Sequence, residues 1–332
     1  MEDSMKKNIA LCIVFLLLTV SAVWSEDRDE ALLDAAKSMD VNALREALNS
    51  GANLDYRNDA LDKTALMIAC ENQWMPGVKM LVDEGANPSY KNRSGVTALM
   101  LAAKTNKNDK ILRYIAEHAG DLNPNNQDSQ GDTALMYAIN NASVSALRVL
   151  LEYGANPDAA NDDGMDAYMY AVQKGAENHL KILLEGGRVP SWGKTNSTGL
   201  NIFMLAATKK KTGMLHTLLS SYNEIDIAKP LPNGELPLAW AMKTGQSTEI
   251  IKLIIGKHDA DGNIANVKIN GKPVVLWAIE KDQPNDIIDR IMRAYDPDVL
   301  ITEKDRQKRD IRWYIKTYKN SYAQKVLDEI LD

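Results

Sequence analysis

Five methionines recur at near-constant spacing: Met67, Met100, Met136, Met169 and Met204. Thioethers suit Cu(I), so the column raises a copper site. Ligands must converge on one ion, however, and methionines borne by successive packed helices stand about 10 Å apart. The column reads instead as flexible core filler. The histidines, His118, His179, His216 and His258, form no i, i+4 pair and have no neighbouring Cys. Zinc needs three or four convergent ligands, so surface or capping roles are expected of them. Cys70 follows the small Ala69 in an apolar stripe and is expected to be buried and inert. There is no nucleophile elbow, no P-loop and no paired His-Glu helix motif. Asp162-Asp163 falls in a turn, where Asp is favoured for backbone reasons. No catalytic, cofactor-binding or metal-ligating residue is assigned, and enzymatic activity is not expected. A hidden site between repeats would be sought in the irregular loop from Gly186 to Leu200.

Two sets of residues suggest binding instead. One is a column of large apolar side chains: Ile68, Leu101, Tyr137, Tyr170, Leu205, Trp240 and Trp277. Each lies two residues beyond a leucine-type position, about 200° round a helix at 100° per residue. It therefore points away from the stripe that packs on the next helix. Tyr and Trp there offer broad, stiff contact area, so Tyr137, Tyr170, Trp240 and Trp277 are the candidate partner-binding residues. The alternative is lateral packing against neighbouring helices. Trp192, in the loop Val189 to Gly199, is a separate exposed candidate. The second set is basic: Lys304, Arg306, Lys308, Arg309, Arg312, Lys316 and Lys319, interrupted by Glu303, Asp305 and Asp310. It reads as a solvated end face, with docking to an acidic partner or an anionic surface as the alternative.

These residues are positioned by a repeat. Thr133-Ala134-Leu135-Met136-Tyr137-Ala138 has near-copies beginning at Thr64 and Thr97. Units start near Ala31, Thr64, Thr97, Thr133, Asp166, Asn201, Leu236 and Pro273, with a fainter ninth at Ile311. A fixed period is the mark of a solenoid or array. The phrase opens a helix: Leu66, Ala69 and Cys70 share one stripe, and Thr caps the first turn. A second apolar helix follows, such as Ala146 to Leu151. A column of Gly51-Ala52-Asn53, Gly85-Ala86-Asn87, Ala119-Gly120-Asp121 and Gly154-Ala155-Asn156 ends it, with glycine as left-handed cap. Gly95, Gly131, Gly164, Gly199, Gly234 and Gly271 precede the next phrase and predict tight turns with positive φ.

The pattern resembles the ankyrin repeat over about residues 27–332. Asp128 to Ala138 and Val78 to Asn87 carry the resemblance best. It implies an all-α solenoid of stacked helix-turn-helix units with short β-hairpin fingers. It also implies a concave face of fingers and first helices that usually binds other proteins. The sequence departs from the family where Pro and His are usual in the phrase. Ala65, Ala98 and Ala134 take the first position, and the methionine column takes the second. That His normally bonds neighbouring units, so packing is expected to replace it. Both ends are expected to be polar caps.

The N-terminus reads as a targeting segment. Lys6-Lys7 precede an apolar run from Ile9 to Val20, then small residues and a charged stretch from Glu26. That order is a bacterial-style signal peptide, residues 1–25, cut after Ser25 or Ala22, with an uncleaved anchor as the alternative. Residues 26–332 form the repeat domain. Cys12 lies in the apolar run, so the exported chain keeps one thiol and no internal disulfide. The net charge of -6 argues against a nucleic-acid partner. No later stretch is apolar enough to span a membrane. The expectation is an exported, periplasmic or secreted, monomeric, non-enzymatic scaffold that binds a protein through its concave face. The alternative is an envelope- or host-directed factor docking an anionic surface through the basic segment. Asn92, Asn141 and Asn196 head glycosylation sequons that matter only in a eukaryotic host.

Overall fold

The computed structural model describes residues 27–332, apart from 105–108, 121, 210, 222–229 and 262–263. The signal peptide expected at residues 1–25 lies outside the described residues. The chain divides into two compact units, residues 1–167 and 168–332.

The first unit is built of helix pairs: α1 (27–38) with α2 (Val41–Asn49), α3 (Ala65–Glu71) with α4 (Met75–Asp83), α5 (Ala98–Lys104) with α6 (Asp109–His118), and α7 (Ala134–Asn140) with α8 (Val144–Glu152). The phrase does open each helix. Thr64 and Thr133 are the residues before α3 and α7, and Asn201 has the same role in the second unit. The Thr64 and Thr97 hydroxyls accept from the amides of Met67 and Met100, both at 3.3 Å. Thr133 departs from this: its hydroxyl is buried without a hydrogen-bond partner, and the Met136 amide bonds the Thr133 carbonyl instead. Seven-residue helices are marginal in water, so packing must sustain them. In α3 all of Ala65 to Cys70 are buried. Helices α3, α5 and α7 pack side by side, and α4, α6 and α8 form a second row behind them.

The second unit continues with α9 (Ala167–Lys174), α10 (Glu177–Leu184), α11 (Ile202–Thr208), α12 (Thr212–Ser221), α13 (Pro237–Lys243), α14 (Thr248–Asp261), α15 (Val274–Glu280), α16 (Asn285–Arg293), α17 (Pro297–Thr302), α18 (Ile311–Tyr318) and α19 (Ser321–Leu331). Helices α10, α12, α14, α16 and α19 make its second row.

The expected finger glycines all have positive φ, between 72° and 81°. The fingers are mostly shorter than hairpins. Five residues suffice, closed by one backbone bond, as from Asp128 N to Asp132 O at 3.1 Å and Asn161 N to Met165 O at 2.9 Å. Strands occur among the described residues only at β1 (Lys268–Ile269) and β2 (Lys272–Pro273), paired antiparallel. There Asn270 and Gly271 both have positive φ (55° and 75°), the requirement of a two-residue hairpin turn. The capping glycines Gly51, Gly85 and Gly154 have φ of 75°, 92° and 84°.

Candidate protein-binding surface

The methionine column is buried, from Met67 at 0% exposed to Met204 at 4%. Among the described residues no three His, Cys, Asp or Glu side chains converge as metal ligands. Cys70 is fully buried, and burial pushes its thiol far above the ordinary range. His118 sits as expected near the end of α6, stacked on Tyr114 at 4.0 Å, with Nδ1 3.0 Å from the Tyr114 carbonyl oxygen. His179 corrects the surface expectation. It is buried at 4% exposure, because its place in α10 faces the core.

The aromatic column divides. Ile68, Leu101, Leu205 and Trp240 are buried, whereas Tyr137, Tyr170 and Trp277 are half-buried. In the first unit, Tyr137 is the one residue of α7 between Ala134 and Ile139 that is not fully buried. Its hydroxyl donates to Asp128 Oδ2 at 2.9 Å, which ties the ring to its own finger. In the second unit, Lys174 lies over the Tyr170 ring at 5.3 Å. Trp240 instead packs edge-on against fully buried Phe203 at 6.0 Å. Trp192, expected to be exposed, is half-buried: its loop folds back so that the indole meets Phe203 at 5.4 Å, and the Asn201 side chain holds the Trp192 carbonyl at 2.9 Å. Phe203 takes the place that Leu66, Leu99 and Leu135 hold in the regular phrase, and its larger ring meets both tryptophans.

Two polar sets escaped the reading of the sequence. The first closes the fingers. Side-chain oxygens of Asn92, Asp128, Asn161, Asn196 and Asp305 accept the amides of Val96, Asp132, Met165, Leu200 and Arg309, four residues on, at 2.8–3.0 Å. An Asn or Asp three residues before Gly95, Gly131, Gly164 and Gly199 was the available signal. The second is a ladder between repeats. Asp29 accepts from Asn53 N, Asp55 from Asn87 N, Ser89 from Asn123 N and Asn125 from Asn156 N, at 2.6–3.1 Å. Within each loop Asn53, Asn87, Asn123 and Asn156 accept from the amide two residues on, so the bonds run on without a break. This corrects two expectations. Hydrogen bonds, and not packing alone, join these repeats, and Asn123 rather than Asp121 matches Asn53. The sign was Asn, any residue, then Asp, Ser or Asn.

The basic segment loses its acids to local bonds. Asp305, whose side chain is 1% exposed, pairs with Arg309 at 2.5 Å and accepts the Tyr314 hydroxyl at 2.8 Å. Burial alone would raise its pKa; the hydrogen bonds from Arg309, Tyr314 and the Gln307 amide outweigh that and hold it well below the usual carboxylate range. Burial, then the bond to Asp305, pushes the Tyr314 phenol up to about 12. The end cap is not wholly polar as expected: Trp313 is 39% and Tyr318 44% exposed.

A family model described as ankyrin repeats in three copies matches residues 32–128 and 120–191. Ankyrin repeat protein L92 of Acanthamoeba polyphaga mimivirus is 29% identical over 180 residues, covering 42% of this chain and 43% of its own. Ankyrin repeat and KH domain-containing protein mask-1 of Caenorhabditis elegans is 27% identical over 143 residues, 43% of this chain and 5% of the relative. The chain thus spans less than half the length of these relatives. The crystal structure of the ankyrin repeat domain of Bcl-3, a member of the IkappaB protein family, superposes with a TM-score of 0.60 at 25% identity, covering 68% of this chain and 97% of that one. The fold is that of an ankyrin repeat domain.

Proposed function

We propose that this ankyrin repeat domain is a non-enzymatic, protein-binding scaffold that acts outside the cytoplasm and meets its partner through the face formed by fingers and first helices. Ankyrin repeats are in general protein–protein interaction modules. The observation that carries the assignment of the face is the division of the aromatic column. Tyr137, Tyr170 and Trp277 keep accessible ring surface on helices whose other residues are almost wholly buried. Large, stiff rings in such places are the usual carriers of binding energy. Trp240 is withdrawn from this set by its burial against Phe203. The export reading rests on the order of charge, apolar run and small residues before Glu26.

A photo-crosslinking residue placed at Tyr170 in cells is expected to trap a protein partner. Tyr137→Ala, Tyr170→Ala and Trp277→Ala are expected to weaken capture with helicity retained. If all three bind as the parent does, the face is wrongly chosen. Fractionation tests export separately: a full-length, uncleaved chain in the cytoplasm would end that part of the reading.

A further inference from the structure

We propose that the last repeat docks on the anionic phospholipid surface of a bilayer through α18 and the finger before it. The charge distribution comes first. Residues 303–319 carry seven cations and three acids, a net of +4, so the remainder of this -6 chain carries -10. All three acids are engaged locally. Asp305 is buried on Arg309 and Tyr314, Asp310 caps the Trp313 amide at 3.0 Å, and Glu303 lies 3.7 Å from Lys268. Arg309 is spent on Asp305. Lys304, Arg306, Lys308, Arg312, Lys316 and Lys319 are left exposed, with no ion pair among the described residues.

The placement of these groups is specific. At 100° per residue, Arg312, Lys316 and Trp313 fall within about 100° of the helix circumference, and Lys319 caps the C-terminal end of α18 at φ 52°. Ile311, Tyr314 and Ile315 take the opposite, buried side. Lys308 stands at φ 62°, where five of the fingers place Gly95, Gly131, Gly164, Gly199 and Gly234; its amide donates to Asp305 O at 3.0 Å as that of Gly131 does to Asp128 O, and Asp305 N to Arg309 O at 3.1 Å closes the finger. Trp313 lies among the cations with the Arg309 guanidinium 4.5 Å from its ring.

The chemistry favours lipid over an acidic polypeptide. Four of the six free cations are lysines, which act as point charges and do not offer the planar fork that reads one carboxylate. Spread along α18 and the finger before it, they answer a surface potential, which attracts each basic side chain near it. An exposed indole beside them suits the headgroup layer, where Trp is enriched.

The test is co-sedimentation of the full chain with phosphatidylcholine vesicles, with and without phosphatidylglycerol. The apolar N-terminal run contributes to both, so the difference between them is the readout. We expect binding to favour the anionic vesicles and to fall with added salt. Arg312→Glu with Lys316→Glu should weaken it at least about tenfold. Lys37→Glu with Lys79→Glu, on other helices, should change it less than about twofold. Trp313→Ala should cause a smaller loss at unchanged salt dependence. Circular dichroism checks the fold, and Arg312→Gln with Lys316→Gln replaces the reversal if that variant unfolds. Equal binding to both vesicles, or a charge reversal without effect, overturns the proposal. So does polyglutamate binding at this face by a chain that ignores the anionic vesicles, which would make the partner a polypeptide.

Discussion

The two units solve the same problem, joining one repeat to the next, with different chemistry. In the first unit the fingers meet backbone to backbone. Ser129 N donates to Ser94 O at 2.8 Å, and Asp162 N to Gln130 O at 3.0 Å. A methyl group on Gly131 would come within 2.8 Å of Asn161 Cα. Behind the fingers runs the Asn ladder from Asp29 to Asp158. In the second unit a methyl group on Gly199 or Gly234 would meet nothing within 4 Å. There large side chains do the joining: Trp192, Phe203 and Trp240 pack in sequence. Repetition of a phrase is needed where the backbone itself is the contact, because every unit must present the same amide at the same place. Where side chains fill the gap, any set of the right volume serves.

The largest effect should come from the second unit's aromatic packing. Phe203→Ala removes a ring that is 0% exposed and should cost about 3–5 kcal/mol in urea unfolding. Hydrogen exchange resolved by peptide should place the loss in residues 168–332. Protection lost mainly in the first unit would break the comparison. Next comes a matched pair of glycines. Gly131→Ala carries both left-handed strain and a backbone collision and should cost about 3 kcal/mol; Gly234→Ala carries strain alone, about 1 kcal/mol. Equal costs would show that first-unit fingers are not in close contact. Asp305→Asn should cost roughly 2 kcal/mol at neutral pH, through weakened bonds to Arg309 and Tyr314. Its depressed pKa contributes stability that is complete above the unfolded carboxyl value near 4 and is lost as pH falls toward the native value. The variant should therefore flatten the decline of second-unit stability below about pH 4. An unchanged acid profile would remove Asp305 from that account. The smallest effect belongs to one rung of the ladder. Asn125→Ala frees the Asn156 amide and should cost about 1 kcal/mol, with faster exchange at that amide. The same amide exchanging at the parent rate would mean that the rung is replaced by water.

The legible parts were those fixed by local rules. Thr before a helix, glycine at positive φ and an alanine-leucine stripe each state their geometry in single residues, and the fold follows from their recurrence. The Asn ladder was half legible. Its asparagines were visible as a column, but their oxygens bond amides of neighbouring repeats, and only stacking brings those amides within reach. The candidate rings were less legible still. Tyr137 and Trp240 occupy the same place in the phrase, yet one keeps surface and the other is buried. What separates them is Phe203, 37 residues before Trp240 in the chain.

The sequence by itself determined the repeat, its two helices, its finger turns, and the absence of any recognised catalytic motif, because each rests on contacts within a few residues. Tertiary structure alone decided that Trp240 loses its surface while its aromatic counterparts keep theirs, and how repeats bond. Those outcomes depend on volumes and hydrogen-bond partners supplied from about 30 to 40 residues away, at the distance where one packed repeat meets the next.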